Sequence, residues 1–159
     1  MDAKELAGVS AYLKLVSEAE KAVAEFYEAC AKTWPEDGLW AELAPQEREH
    51  SRIALELLAM VEKAPEKFKP LRPLNIKALE IFIAVAADYK QKTSAMAFKK
   101  VNALAAARDI ERSIIESRYD QTLSSPDPLY GTLVTKMISE TASHMEKINR
   151  SLAALGAVR

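Results

Sequence analysis

The chain has 159 residues, 22 basic and 23 acidic side chains and a formal net charge of -1, enough length for one core and no basic stripe of the kind nucleic acid requires. No apolar run approaches the ~20 residues of a membrane span. The single cysteine, Cys30, excludes an internal disulfide and any four-cysteine iron or zinc site. Only four glycines stand against many Ala, Leu, Lys and Glu, a balance that favours helix over sheet. The opening Met1-Asp2-Ala3-Lys4-Glu5 lacks the charge-then-apolar pattern of a signal peptide, so the expectation is one cytoplasmic all-helical domain over 1–159 with no nucleic-acid or membrane partner.

Taken in chain order, period and punctuation predict four long helices and a shorter one. The first spans about Ser10 to Trp34, with Leu13, Val16, Val23, Phe26 and Tyr27 at helical spacing and Pro35 as the stop. Asp37 offers an N-cap for a second helix to about Glu62, with a kink or broken turn expected at Pro45. Residues 63–74 carry Pro65, Pro70 and Pro73 and read as a linker, followed by an amphipathic piece from Ile76 to Lys92 with Leu79, Phe82, Ile83 and Ala86 on one side. Ser94 is the expected cap of a helix through Val101, Leu104, Ile110 and Ile114 to about Tyr119. A break at Ser124-Ser125-Pro126-Asp127-Pro128 precedes a last helix, about Leu129 to Leu155. Two helical hairpins joined by a long crossover make a four-helix bundle, the connectivity of ferritin-like folds. The crossover is apolar enough for its helix to pack on the bundle, and its exposed apolar face hints at a homodimer.

Each residue of a helix advances about 100°, which sorts inward from outward acids. Glu20 shares a face with Val16, Val23, Ala24 and Tyr27; Glu47 and His50 share one with Leu43, Ala54, Leu57 and Leu58. Glu111 lies among Leu104, Ala107, Ile114 and Ile115, and His144 in a stripe of Leu133, Met137, Thr141 and Ile148. Glu49, by contrast, faces away from Glu47. These two histidines are the only ones in the chain, and each follows a glutamate by one helical turn, Glu47 before His50 and Glu140 before His144. Acid and imidazole at that spacing project from one face and can hold one metal ion. Each hairpin presents an inward acid and then a histidine, and a short loop puts such residues at one level. Carboxylates with a minority of imidazoles suit iron or manganese. Taken singly, His50 could be a satisfied core histidine, and Glu20 or Glu111 could pair with a cation, for which Arg108 stands one turn before Glu111.

The segment Glu20-Lys-Ala-Val-Ala-Glu-Phe-Tyr27, with Trp40-Ala-Glu-Leu-Ala44 and Glu47-Arg-Glu-His50, resembles the first hairpin of rubrerythrin-like proteins of the ferritin-like di-iron superfamily. Ala103 to Glu111 and Glu140 to His144 are a weaker match to the second hairpin. The resemblance implies a ferritin-like bundle holding two iron atoms, with manganese or a mixed pair as variants, on Glu20, Glu47, His50, Glu111 and His144. For the sixth ligand, Thr141 stands where a glutamate is expected, and Glu140, one position earlier, would have to reach in from i−4.

The same resemblance implies an oxidoreductase acting on peroxide or dioxygen, with Glu47 and Glu111 as bridging carboxylates. The family's rubredoxin-type site cannot exist here, so electrons would come from a separate donor. Tyr27 could hydrogen-bond a ligand carboxylate or relay an electron, or be an ordinary bundle tyrosine with its hydroxyl at the edge. Cys30 reads as a small core residue. Two rivals stay open: iron oxidation or handling on the same site without peroxide turnover, and a helical scaffold or interaction module that kept the bundle and lost the metal.

Overall fold

The computed structural model describes residues 1–117 and 121–157 and is almost entirely helical: α1 (Ala3–Thr33), α2 (Gly38–Lys63), α3 (Ile76–Ser94), α4 (Lys100–Ser117) and α5 (Pro128–Ala157). Helix α1 starts well before the expected Ser10. Asp2 and Glu5 form a capping box, the Glu5 amide donating to Asp2 Oδ1 at 2.8 Å and the Asp2 amide to Glu5 Oε2 at 3.0 Å, which satisfies donors a helix start leaves open. Asp37 caps α2 as expected, accepting from the Leu39 amide at 3.2 Å. The expected break at Pro45 is absent. The helix runs through it, and the carbonyl that loses its donor belongs to Ala41 on the exposed face, where water can replace the bond.

Ser94 closes α3 rather than capping α4; the turn after it holds Met96 at φ 53°, and the Lys99 amide at the start of α4 donates to Asn102 Oδ1 at 3.2 Å. The expected end of α4 at Tyr119 lies outside the described residues. Asp127 caps α5 through the Leu129 amide at 3.0 Å.

Side-chain pairs fix the helix directions. Ser17 meets Ser51 at 2.9 Å and Glu28 receives the Arg48 fork at 2.8 and 2.9 Å, so α1 and α2 are antiparallel. Lys147 on Glu42 (2.6 Å) and Lys136 on Glu49 (3.2 Å) make α2 and α5 antiparallel as well. Helix α3 runs parallel to α1: its start places Leu79 in the cluster of Val9 and Leu13, and further on Tyr89 lies 5.8 Å from Phe26 and Lys90 pairs with Glu25 at 2.8 Å. The crossover thus carries the chain from the end where α2 finishes to the end where α4 begins. Its buried stripe, Leu79, Ala86 and Thr93 at heptad spacing, faces the bundle, while Ile81 remains 56% exposed. A two-residue antiparallel ladder, Lys69↔Ser124 and Pro70↔Leu123, ties the start of the crossover to the turn before α5. No helix among the described residues is long and apolar enough to cross a membrane.

The core divides into two apolar clusters. One gathers Val9, Leu13, Val16, Ile53, Leu57, Phe68, Leu133 and Met137; the other gathers Val23, Phe26, Tyr27, Trp40, Leu43, Leu104, Ile110 and Ile148. Between them lies a fully buried polar layer.

Candidate metal centre

That layer contains Glu20, Glu47, His50, Glu111 and His144, each at most 1% exposed. Each sits in an apolar stripe of its own helix, so once the stripes face one axis the five side chains have nowhere else to point. Two groups form: Glu20, Glu47 and His50, and Glu47, Glu111 and His144, each offering ligand atoms within 4.8 Å of one another. Glu47 is common to both. His50 Nδ1 lies 3.3 Å from Glu47 Oε2, and His144 Nδ1 lies 2.7 Å from Glu47 Oε1 and 3.5 Å from Glu111 Oε1.

These are charge contacts without the alignment of hydrogen bonds. Glu20 Oε2, both oxygens of Glu47, Glu111 Oε2 and the Nδ1 atoms of both histidines are all buried with no hydrogen-bond partner. An unsatisfied buried polar atom typically costs about 1–3 kcal/mol. Six in one layer lie in two groups, each of which could hold a metal ion that would take their lone pairs together. The residues present fit such a pair.

The electrostatics agree. Burial and then the charge of Glu47 push the Glu20 carboxyl well above the usual carboxylate range and bring Glu111 up to about 7. Burial opposes ionisation of Glu47 too, but His144 and His50 beside it overcome this and bring it down to about 2. Burial likewise disfavours charge on His144, yet Glu111 and Glu47 lift it to about 9; His50 is raised by Glu47 and Glu140 against the same opposition. With no cation present, protons therefore take over the neutralisation of three packed carboxylates.

The outer nitrogens of the histidines are held separately. His50 Nε2 faces Glu140 Oε2 at 2.9 Å, and His144 Nε2 faces Gln46 Oε1 at 2.8 Å. Both partners are acceptors, so each Nε2 donates outward and each Nδ1 faces the carboxylates, where it holds a proton in the metal-free protein and would offer a lone pair to a cation once that proton leaves. Glu140 is therefore not placed as the sixth inward ligand. From i−4 its carboxylate crosses to the imidazole of the other hairpin, and it belongs to neither three-residue group. Thr141 does point into the core, at 3% exposure, but its hydroxyl donates to the Met137 carbonyl at 2.9 Å.

Other expectations are refined in the same way. Glu111 lies in one group only, whereas Glu47 belongs to both. Tyr27 is fully buried rather than at the bundle edge and donates to Glu111 Oε1 at 2.6 Å; burial and then Glu111 push its phenol well above the ordinary range, so it holds its proton. Arg108 does not pair with Glu111; it turns outward to Asp109 at 3.3 Å. Cys30 is a buried core thiol, pushed up to about 12 chiefly by burial. Gln46 was not singled out from sequence, although it stands at i−4 from His50 as Glu140 does from His144, a signal visible only once both offsets are compared. A separate cavity of about 600 Å³ lies between α1, α3 and α4 against Tyr12, Phe82 and Ile110 and contains none of the five inward residues.

The Tyr27 bond supports a direct prediction. Tyr27→Phe removes the donor from a buried carboxylate oxygen and should lower stability by about 1–3 kcal/mol, read from denaturant unfolding of chelator-treated protein. Metal stoichiometry should stay that of the wild type. A loss of stability below ~0.5 kcal/mol would mean the phenol is not needed to satisfy Glu111.

Comparison of the chain with protein-family models, characterised proteins and solved structures gives no match.

Proposed function

We propose that this protein is a ferritin-like, rubrerythrin-type di-metal oxidoreductase, with iron as the metal of first choice, acting on peroxide or dioxygen with electrons from a separate donor. The observation that carries the metal centre is the pair of acid–histidine groups sharing Glu47, in which six buried oxygens and ring nitrogens have no hydrogen-bond partner. Carboxylate and imidazole together suit iron or manganese better than a structural zinc site, which favours cysteine. Each group supplies three protein residues, which leaves positions for a small molecule, as in catalytic metal sites generally.

A redox-active pair held here would supply the electrons for cleaving or reducing an oxygen–oxygen bond. The chain's own part is narrower. Glu47 would serve both positions, the apolar clusters on either side exclude water, and the Tyr27 phenol keeps a proton 2.6 Å from Glu111 Oε1. Tyr27 also packs against Phe26 and Trp40, with ring centroids 5.4 and 5.6 Å away, so its hydroxyl is fixed in direction.

The test is anaerobic reconstitution with ferrous iron, followed by peroxide or dioxygen. Two irons per chain, reoxidised faster by peroxide, support the reading; reoxidation by dioxygen alone points to iron oxidation without peroxide turnover. Thr141 favours a second reading, a scaffold that kept the bundle and lost the metal, because α5 contributes no inward carboxylate. Less than about one iron or manganese per two chains, with no ligand-to-metal absorption, would establish that reading instead.

His50→Ala should abolish tight metal binding. Glu49→Ala should leave it unchanged, because Glu49 points outward to Arg52 and Lys136 at 2.7 and 3.2 Å. Equal losses in the two variants, measured by metal analysis after gel filtration, would contradict the assignment of helix faces.

A further inference from the structure

The centre has an internal near-symmetry that is broken at two places. Read at offsets −4, −3 and 0 from each histidine, α2 supplies Gln46, Glu47 and His50, and α5 supplies Glu140, Thr141 and His144. The −4 residues are exchanged between the hairpins: Glu140 holds His50 Nε2 at 2.9 Å, while Gln46 holds His144 Nε2 at 2.8 Å. The two rings lie side by side, with centroids 5.7 Å apart and planes inclined by 24°. Only one of them is backed by a carboxylate.

We infer that the two metal positions are unequal and fill in order, first at Glu20–Glu47–His50 and then at Glu47–Glu111–His144, with Glu140 and Gln46 as the positioning residues that set the order. A carboxylate accepting the Nε2 proton makes the imidazole a stronger donor at Nδ1 than a neutral amide does, because it stabilises positive charge drawn into the ring. The carboxylates bias the positions the same way. Glu20 Oε2 and Glu111 Oε2 both lack a hydrogen-bond partner, but the other Glu111 oxygen, Oε1, accepts the Tyr27 hydroxyl at 2.6 Å, which draws electron density away from that carboxylate. The first position therefore has two carboxylates and a carboxylate-backed imidazole. The second shares one of those carboxylates, adds a weakened one, and has an amide-backed imidazole. Once the first ion is seated, its charge and its claim on Glu47 disfavour the second further.

This inference rests on the metal-binding reading above, and a titration separates the two. Cobalt(II) is added to the chelator-stripped full chain, with binding followed by calorimetry and by visible d–d absorption. Two steps are expected, at least about tenfold apart in affinity. His144→Ala should keep the tight step and lose the weak one. Glu140→Gln preserves size and an acceptor for His50 while removing the charge; it should weaken the tight step by about 10-fold or more and change the weak step by less than about threefold. Gln46→Glu should tighten the weak step, and the double exchange should reverse which step His144→Ala removes.

A single two-ion step in the wild type, or equal effects of Glu140→Gln on both steps, would overturn the ordered filling while leaving the metal site standing. No cobalt binding by the wild type would overturn the site itself and this inference with it. Gln46→Glu and Glu140→Gln change charge at opposite positions, so a general loss of fold cannot imitate their opposite effects, and melting without metal checks the fold of each.

Discussion

Glu47→Gln is expected to abolish binding at both metal positions and to destabilise the metal-free fold, the largest effect of any single change at this centre. Glu47 is the one carboxylate common to both groups, with Oε1 2.7 Å from His144 Nδ1 and Oε2 3.3 Å from His50 Nδ1. An amide cannot offer two anionic oxygens to two cations, so neither position retains its ligand set. Without metal the same residue is the counter-charge for two buried imidazoles. Removing one member of a buried charge cluster typically costs about 3–5 kcal/mol, because the partners stay buried and uncompensated. For a domain of this size that corresponds to a fall in Tm of roughly 10 °C. Metal analysis and calorimetric melting with chelator check the two parts. Glu20→Gln and Glu111→Gln should each impair one position only. A Glu47→Gln protein that still binds one ion tightly would show that the carboxylate is not shared.

The second large effect is a reversal in how stability depends on pH. In the metal-free protein Glu20 and Glu111 are raised, Glu111 to about 7, and His50 and His144 are raised, His144 to about 9. A group whose folded value lies above its unfolded one stabilises the fold fully only below the unfolded value. That contribution is lost as pH rises through the folded one. Between ordinary carboxyl values and about pH 9 the native centre thus holds more protons than the unfolded chain, so stability falls as pH rises. Glu47, lowered to about 2, acts oppositely, but its contribution is lost only as pH falls below the ordinary carboxyl range.

The metal-free protein should accordingly be most stable near pH 5, with Tm dropping by roughly 5–15 °C towards pH 9. Saturating metal should reverse the slope. Metal ligation needs the protons removed, so affinity, and the stability it confers, rises with pH over the same window. Melting curves from pH 5 to 9, with chelator and with excess manganese(II), should cross. Parallel curves would mean that the buried protons and the metal do not compete for the same atoms. Glu140 holds the outer nitrogen of His50 and Tyr27 holds Glu111, so Glu140→Gln and Tyr27→Phe should modify the metal-free slope without inverting it.

Much of this centre was legible in the sequence because helical period alone decides which residues share a face. Glu20, Glu47, His50, Glu111 and His144 each fall in an apolar stripe, and a buried charge in such a stripe needs an opposite charge, a hydrogen bond or a metal ion. Caps behaved similarly: Asp37 was readable because its carboxylate reaches an amide two residues away, and Asp2 could have been, from Glu5 three residues on. Local spacing failed where the answer lay on another helix. Nothing within α5 tells whether Glu140 turns inward beside His144 or sideways to His50; that depends on α2 running antiparallel at the same level. Nor could α4 alone decide whether Glu111 meets Arg108 or Tyr27, since the tyrosine comes from a helix 84 residues earlier.

By itself, then, the sequence determined the helices, their buried faces and the five inward acid and imidazole side chains, because these follow from periodicity and from the cost of burying charge. Only the tertiary structure decided that Glu47 belongs to both acid–histidine groups, that Glu140 and Gln46 are exchanged between hairpins, and that the two imidazoles are backed by different acceptors. Those are contacts between helices, and their distances depend on how the bundle packs rather than on any spacing along the chain.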